Sequence, residues 1–190
     1  MTINKDIFIE FPILKTNRLT LREIRNTDAR EIFEMRSNKR VNQFIARDSM
    51  DKMEDSEKLV AKTILAYQNH QAIGWAAILR DSNEIIGTCG FNQIDYLNLR
   101  AEIGGELSVE YWGKNIAIEA IYAIIKFGFD KMNLHTIEAK VSPKNRGAIF
   151  LMEKIGFKKE AHFVDRIYFK NSFRDMAVYT LIKGNESFSF

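Results

Sequence analysis

A chain of 190 residues with 46% hydrophobic and 28% charged residues has the make-up of a single globular domain, one that needs no disulfide or metal staple. Its 28 basic and 25 acidic side chains leave a formal net charge of +3, too small and scattered an excess to mark a nucleic-acid binder. One cysteine excludes an internal disulfide framework and a multi-cysteine zinc site, and His70, His135 and His162 lie too far apart for a helical ligand pair.

The first eleven residues carry Asp6 and Glu10 and lack the basic start, apolar run and cleavage site of a signal peptide. No stretch reaches the roughly 18 apolar residues that span a bilayer. The expectation is a soluble cytoplasmic protein, with no membrane or nucleic-acid partner and no metal.

Leu19 to Ile24 alternates apolar and polar residues and predicts a strand. Asp28, with Glu31 three residues on, reads as a capping box opening a helix over 28–37. A second helix is expected over 51–69, with Leu59, Val60, Thr63, Ile64 and Tyr67 on one face. Strands follow over 75–79, 85–91 and 101–109. The segment 116–132 is apolar on nearly every side, so it predicts a helix buried between other elements. A strand over 136–141 ends at Pro143, and a helix over 145–154 stops at Gly156. Two closing strands are expected near 158–164 and 174–183. The pattern is that of a mixed α/β single domain.

Chemistry concentrates where the strand ending near Val109 runs through Gly113, Lys114 and Asn115 into the apolar helix. A helix start offers unpaired N–H groups and the positive end of a dipole, which together suit phosphate. Gly113 permits close backbone approach, Asn115 tolerates a left-handed conformation, and Lys114 adds a cation. An ordinary strand–loop–helix connection would have the same outline. Asn145, alone, is an N-cap. On the strand before the loop, Glu102, Gly104, Glu106 and Ser108 share one face by the two-residue period. Gly104 and Gly105 are expected to leave room for a substrate there. Cys89 reads as a buried inert thiol, and Trp75 and most Phe residues as core.

Taken together, Trp112–Ala117, the Asn145 helix with its Lys154-Ile155-Gly156-Phe157 exit, the opening strand around Arg18 and the last strand around Tyr179 resemble the GNAT superfamily of acyl-coenzyme A-dependent N-acetyltransferases. The tryptophan at the first position of the loop resembles the branch that acetylates N-termini of ribosomal proteins (RimJ/RimL-type). The resemblance implies an α/β (α+β) fold with a central mixed, mostly antiparallel twisted sheet and helices on both faces. It divides the chain into an N-terminal extension (1–11), the acetyltransferase domain (12–184) and a tail (185–190), in which Phe188 and Phe190 would fray or pack on a partner subunit.

The same resemblance implies acetyl-CoA as co-substrate, an amine acceptor (a peptide N-terminus or a small amine), and a monomer or homodimer. Backbone N–H groups of Trp112, Gly113, Lys114, Asn115, Ile116 and Ala117 would meet the pyrophosphate. Val109 and Tyr111 main chain would run along the pantetheine, Asn145 would hydrogen-bond it and Phe150 would pack on it. A strand N–H near Leu107–Val109 would stabilise the carbonyl oxygen as charge develops. The proton of the attacking amine calls for a carboxylate. Glu106, nearest the loop, is preferred over Glu102, against the reading of both as solvated surface acids. The sequence departs from the family's pattern at the proton donor for the leaving thiolate: Met152 stands where a Tyr is common, and Ala148 where the ribosomal branch often has Ser. Tyr168, Tyr179 or water would substitute. Phe44, Ile45 and Arg47 fall where the family binds its acceptor. A coenzyme A-binding module without transferase activity is the alternative. An unrelated nucleotide-binding α/β protein is disfavoured because no Walker Lys-Ser/Thr pair follows the glycine loop.

Overall fold

The computed structural model describes residues 2–186. A two-residue strand β1 (Leu14–Lys15) pairs antiparallel with β2 (Leu19–Glu23), which buries Leu19 and Leu21 completely. Helices α1 (Ala29–Ser37), α2 (Lys39–Asn42) and α3 (Met53–Gln68) follow. Then come β3 (Ile73–Leu79), β4 (Ile85–Asp95), β5 (Arg100–Leu107), α4 (Ile116–Asp130), β6 (Thr136–Val141), α5 (Arg146–Ile155), β7 (Lys158–Phe169) and β8 (Ser172–Ile182). The strands form one sheet in the order β1-β2-β3-β4-β5-β6-β8-β7. Every neighbouring pair is antiparallel except β5 and β6, which run parallel.

The sheet is covered on both faces, and β3 shows why its sequence is an unbroken apolar run. Trp75 and Ala77 join the main core, packed against Ile121, Ile124 and Ile125 of α4, whereas Ala76 and Ile78 turn to the other face and meet Ile32 of α1 and Val60 of α3. Alternate residues of one strand therefore serve two cores. The apolar helix α4 has Ile124 and Ile125 fully buried, as its composition predicts. Met152 and Ile155 bring α5 into the same core.

Several elements differ from the sequence expectation. Asp28 does not cap α1 with its side chain. It is buried, accepts both terminal nitrogens of Arg22 at 2.7 and 2.9 Å and the Arg25 N–H at 2.8 Å, and so closes the turn before the helix. The Arg22 guanidinium is held above its ordinary pKa, chiefly by its hydrogen bonds to Asp28. Strand β5 ends at Leu107, and Val109–Tyr111 forms a 3-10 turn between strand and loop. The elements β1 and α2 are too short to show a period. Within the first eleven residues, Ile3 and Phe8 are buried in the main core. The Asn4 N–H bonds to Met132 O at 2.9 Å, which ties the start of the chain to the end of α4. Phe188 and Phe190 lie outside the described residues.

Candidate active site

The site begins where two parallel strands part. β5 pairs with β6 only from Arg100–Thr136 to Glu102–Glu138. Beyond Glu102 the strands diverge, leaving the last five residues of β5 without a neighbour on that side. A cavity of about 620 Å³ opens there, lined among others by Leu107, Ile116, Ala117, Asn145 and Met152. The Ser108 N–H donates to Ile86 O of β4 at 2.8 Å. Main-chain groups alternate along an extended strand, so the Leu107 N–H faces the open side.

At the mouth of the cleft, the loop before α4 takes a conformation its sequence prepares. Gly113 has φ +73° and Asn115 φ +57°, both left-handed. The N–H groups of Gly113, Lys114 and Asn115 have no acceptor among the described residues, and a Cβ at Gly113 would meet no atom within 4 Å. Unpaired donors, a left-handed turn and the positive end of a 15-residue helix form an open anion nest. One of the expected pyrophosphate donors, Trp112, is already used, as is the N–H of Tyr111, whose main chain was expected along the pantetheine. The Tyr111 N–H bonds to Ser108 O at 3.0 Å and the Trp112 N–H to Val109 O at 3.2 Å, so the nest begins at Gly113. The Trp112 side chain instead pins the loop to β5, its indole N–H donating to Leu107 O at 2.8 Å. Lys114 Nζ rests 5.1 Å from the centre of the Tyr111 ring.

A second anchor was not visible in the sequence. Arg18, on the loop before β2, donates from Nη1 to Lys114 O at 2.9 Å and from Nε to Glu119 Oε1 at 2.5 Å. Glu119 also accepts the Thr16 hydroxyl at 2.9 Å and the Arg18 N–H at 3.2 Å. Burial alone would raise the Glu119 pKa, but these hydrogen bonds outweigh it and hold the carboxyl below its ordinary range. The first turn of α4 is thereby fastened to the start of β2.

Across the cleft, the Asn145 side chain caps α5, its Oδ1 accepting the Ala148 N–H at 3.1 Å. Its amide N–H groups stay free to face the cavity that Asn145 lines. Phe150 is exposed on α5 and does not line the cavity. Tyr179 is buried in the main core and Tyr168 is exposed on β7, and neither lines the cavity. Cys89 is buried, which pushes its thiol up to about 12 and leaves it without nucleophilic character at neutral pH.

The two glutamates of β5 part company. Glu102 pairs with Lys140 of β6 at 2.6 Å. Glu106 lines the cavity with its carboxylate only 4% exposed. Its Oε1 accepts from Arg36 Nε and, at 3.2 Å, from Thr88 Oγ1, while Oε2 accepts from Arg47 Nη2. Phe44, Ile45 and Arg47 of the loop after α2 all line the cavity. Gly104 and Gly105 line the cavity beside Glu106 and also sit close to their neighbours on β4. A Cβ at Gly104 would strike the Asn92 amide at 2.4 Å, and one at Gly105 would strike Thr88 O of β4 at 2.9 Å, so both serve close packing.

The model of the acetyltransferase (GNAT) domain matches residues 18–158, a span that contains the parted strands, the nest and the Asn145 helix. The chain belongs to the GNAT acetyltransferase family. An uncharacterised N-acetyltransferase of Bacillus subtilis, YoaA, is 35% identical over 176 residues, spanning 93% of this chain and 99% of that protein. A spermidine N(1)-acetyltransferase of Vibrio cholerae is 26% identical over 84% of this chain and 90% of its own length. A GNAT acetyltransferase structure from Bacillus anthracis superposes with a TM-score of 0.80 at 28% identity, covering 90% of this chain and 98% of that one. RimL, the ribosomal L7/L12 α-N-protein acetyltransferase solved with coenzyme A, superposes with a TM-score of 0.82 at 21% identity and shares the fold. This GNAT protein is an acetyl-CoA-dependent N-acetyltransferase, and its cleft offers open donors at the nest and a free amide on Asn145. Among the described residues, no group of His, Cys, Asp and Glu could hold a metal ion, and no helix is long and apolar enough to cross a membrane.

Proposed function

We propose that the gap between β5 and β6 holds acetyl-CoA with its pyrophosphate on the nest at Gly113, Lys114 and Asn115, and that Glu106 serves the acceptor amine from the opposite end of the cavity. The observation that carries this reading is the conjunction of three unpaired N–H groups at the start of α4 with the one carboxylate among the cavity's lining residues, Glu106, on the strand that leads into it. The first turn of α4, at Ile116 and Ala117, extends the nest. Asn145 donates its amide to the pantetheine, and Val109 and Tyr111 lie along the same path. Lys114 swings from the Tyr111 ring to add its charge. The Leu107 N–H stands as the donor to the carbonyl oxygen. Phe150, exposed on α5, would pack on the pantetheine only after a change of rotamer.

Acetyl-CoA supplies an activated acetyl thioester. The amine nitrogen forms the new C–N bond, the C–S bond breaks, and sulfur leaves with the electron pair. The proton shed by the nitrogen passes to Glu106, directly or through one water, at the Oε2 lone pair that Arg47 leaves open. Glu102, paired with Lys140 and absent from the cavity lining, is the less favoured candidate. With no tyrosine on the cavity wall, the thiolate departs unprotonated or takes its proton from water, which a thiol pKa near 8.5 permits.

An acceptor of modest basicity suits this arrangement. An α-amine with a pKa near 8 is roughly one-tenth neutral at pH 7, whereas a lysine amine near 10.4 is neutral at only about 0.04%. A single buried thiol and the lack of a membrane-crossing helix among the described residues support a cytoplasmic setting.

Thiol release from acetyl-CoA over a panel of primary amines and N-terminal peptides tests the reading. Glu106→Gln should lower kcat on the best acceptor by about 10²-fold or more, with acetyl-CoA affinity within a factor of three. A variant with unchanged kcat would remove Glu106 from the proton path. Tight acetyl-CoA binding with no release on any amine would favour a binding module.

A further inference from the structure

The acceptor end of the cavity holds two cations and one anion. Arg36 spends Nε on Glu106, and its two terminal nitrogens have no acceptor among the described residues. Arg47 spends Nε on Asn42 Oδ1 at 2.6 Å and Nη2 on Glu106, which leaves Nη1. Both side chains line the cavity and are about one-fifth to one-quarter exposed, at 20% and 24%. Among the described residues no buried side-chain nitrogen or oxygen lacks a partner, so the unused guanidinium nitrogens are open to solvent. Lys62 and Arg174 line the same cavity, and Glu106 is the only carboxylate among its lining residues.

Two guanidiniums sharing one buried carboxylate are left one negative charge short. Burial holds the Arg36 guanidinium below its ordinary pKa, with Glu106 offsetting part of the effect and Arg47 adding to it. A second carboxylate would complete the pairing, and the planar fork of arginine suits it. A polycation would meet the opposite: two arginines in front and, among the lining residues, a single acid to set against several ammonium groups.

The geometry points to an acceptor amine that carries a carboxylate within a few bonds of its nitrogen, the carboxylate held by Arg36 and Arg47 while the amine sits against Glu106. This rests on the transferase reading above and names its acceptor class, and it separates this chain from a polyamine acetyltransferase. The carboxylate could be that of a free amino acid or of an acidic residue beside a peptide N-terminus. Both present the same group to the arginines.

The test uses matched acceptors that differ only in carboxylate against carboxamide. Free amino acids are compared with their amides, and dipeptides carrying Asp with those carrying Asn at the second position. Spermidine completes the panel. Initial rates at saturating acetyl-CoA are corrected for the fraction of neutral amine, and binding of each pair to the coenzyme A-saturated protein is measured by calorimetry. The acid should exceed its amide at least tenfold in kcat/KM or in affinity, and the pair with the larger ratio tells amino acid from peptide. Arg36→Gln and Arg47→Gln should bring the ratio toward one through KM, and Arg36→Lys should recover part of it. Should a variant fail to fold, the wild-type ratio alone decides. Amides or spermidine used or bound as well as the acids would overturn the inference and leave the transferase reading intact. Failure to bind acetyl-CoA would overturn the transferase reading instead.

Discussion

Arg18 shows how much of a site can depend on a residue outside it. Its guanidinium joins Lys114 O to Glu119, and so holds the nest and the first turn of α4 in one place. Arg18→Ala should cost ~1 kcal/mol of stability or less, since the pair is partly exposed. It should raise the KM for acetyl-CoA roughly tenfold, equivalent to ~1.4 kcal/mol of lost preorganisation. Steady-state kinetics alongside a thermal melt separates the two effects. Glu119 adds a pH signature. Its folded pKa lies below its unfolded value, so the unfolded chain takes up the proton first as pH falls. The stabilisation is therefore complete above the unfolded carboxylate pKa near 4.3 and fades as pH drops through the lower folded value. Urea midpoints of the wild type and Glu119→Gln should differ at pH 7 and converge in acid. The nest itself was legible, because Gly113 and Asn115 are the residue types that tolerate positive φ. The role of Arg18 was not, 96 residues from Lys114, nor was the pairing of Arg36 and Arg47 with Glu106, 70 and 59 residues away, although the resemblance had placed Arg47 near the acceptor. Pairings at such separations leave no local pattern.

Periodicity carried the long elements. The all-round apolar character of α4 matches its place against the sheet, and the alternation in β2 and β5 set their inward faces. What failed was short or irregular: the two residues of β1, the four of α2, and the turn that ends β5 early. The glycines of β5 serve two ends, lining the cavity and letting β4 approach closely. Gly looks the same whether it makes space for a ligand or for a neighbouring strand. Gly105→Ala should force β4 and β5 apart against Thr88 O and destabilise by about 1–3 kcal/mol, read as a shift of the urea midpoint at constant slope. An unchanged midpoint would mean that the strands yield freely there.

On the scale of the whole molecule, an eight-stranded sheet with helices on both faces has a single parallel pair, and the site lies where that pair separates. Antiparallel neighbours on either side fix β5 to β4 and β6 to β8, so the gap is held open by the rest of the sheet. The net charge of +3 says little by itself. Its distribution says more: open main-chain donors at one end of the cleft, and Arg36 and Arg47 at the other. The central claim is that acetyl-CoA lies in this cleft with its pyrophosphate on the nest. Calorimetric titration of acetyl-CoA into the wild type and Gly113→Ala tests it most directly. A Cβ at Gly113 meets no protein atom, so the variant should fold, with a left-handed alanine costing roughly 1–2 kcal/mol. The account predicts one tight site in the wild type and at least tenfold weaker binding in the variant. Equal affinity in the two proteins would contradict it.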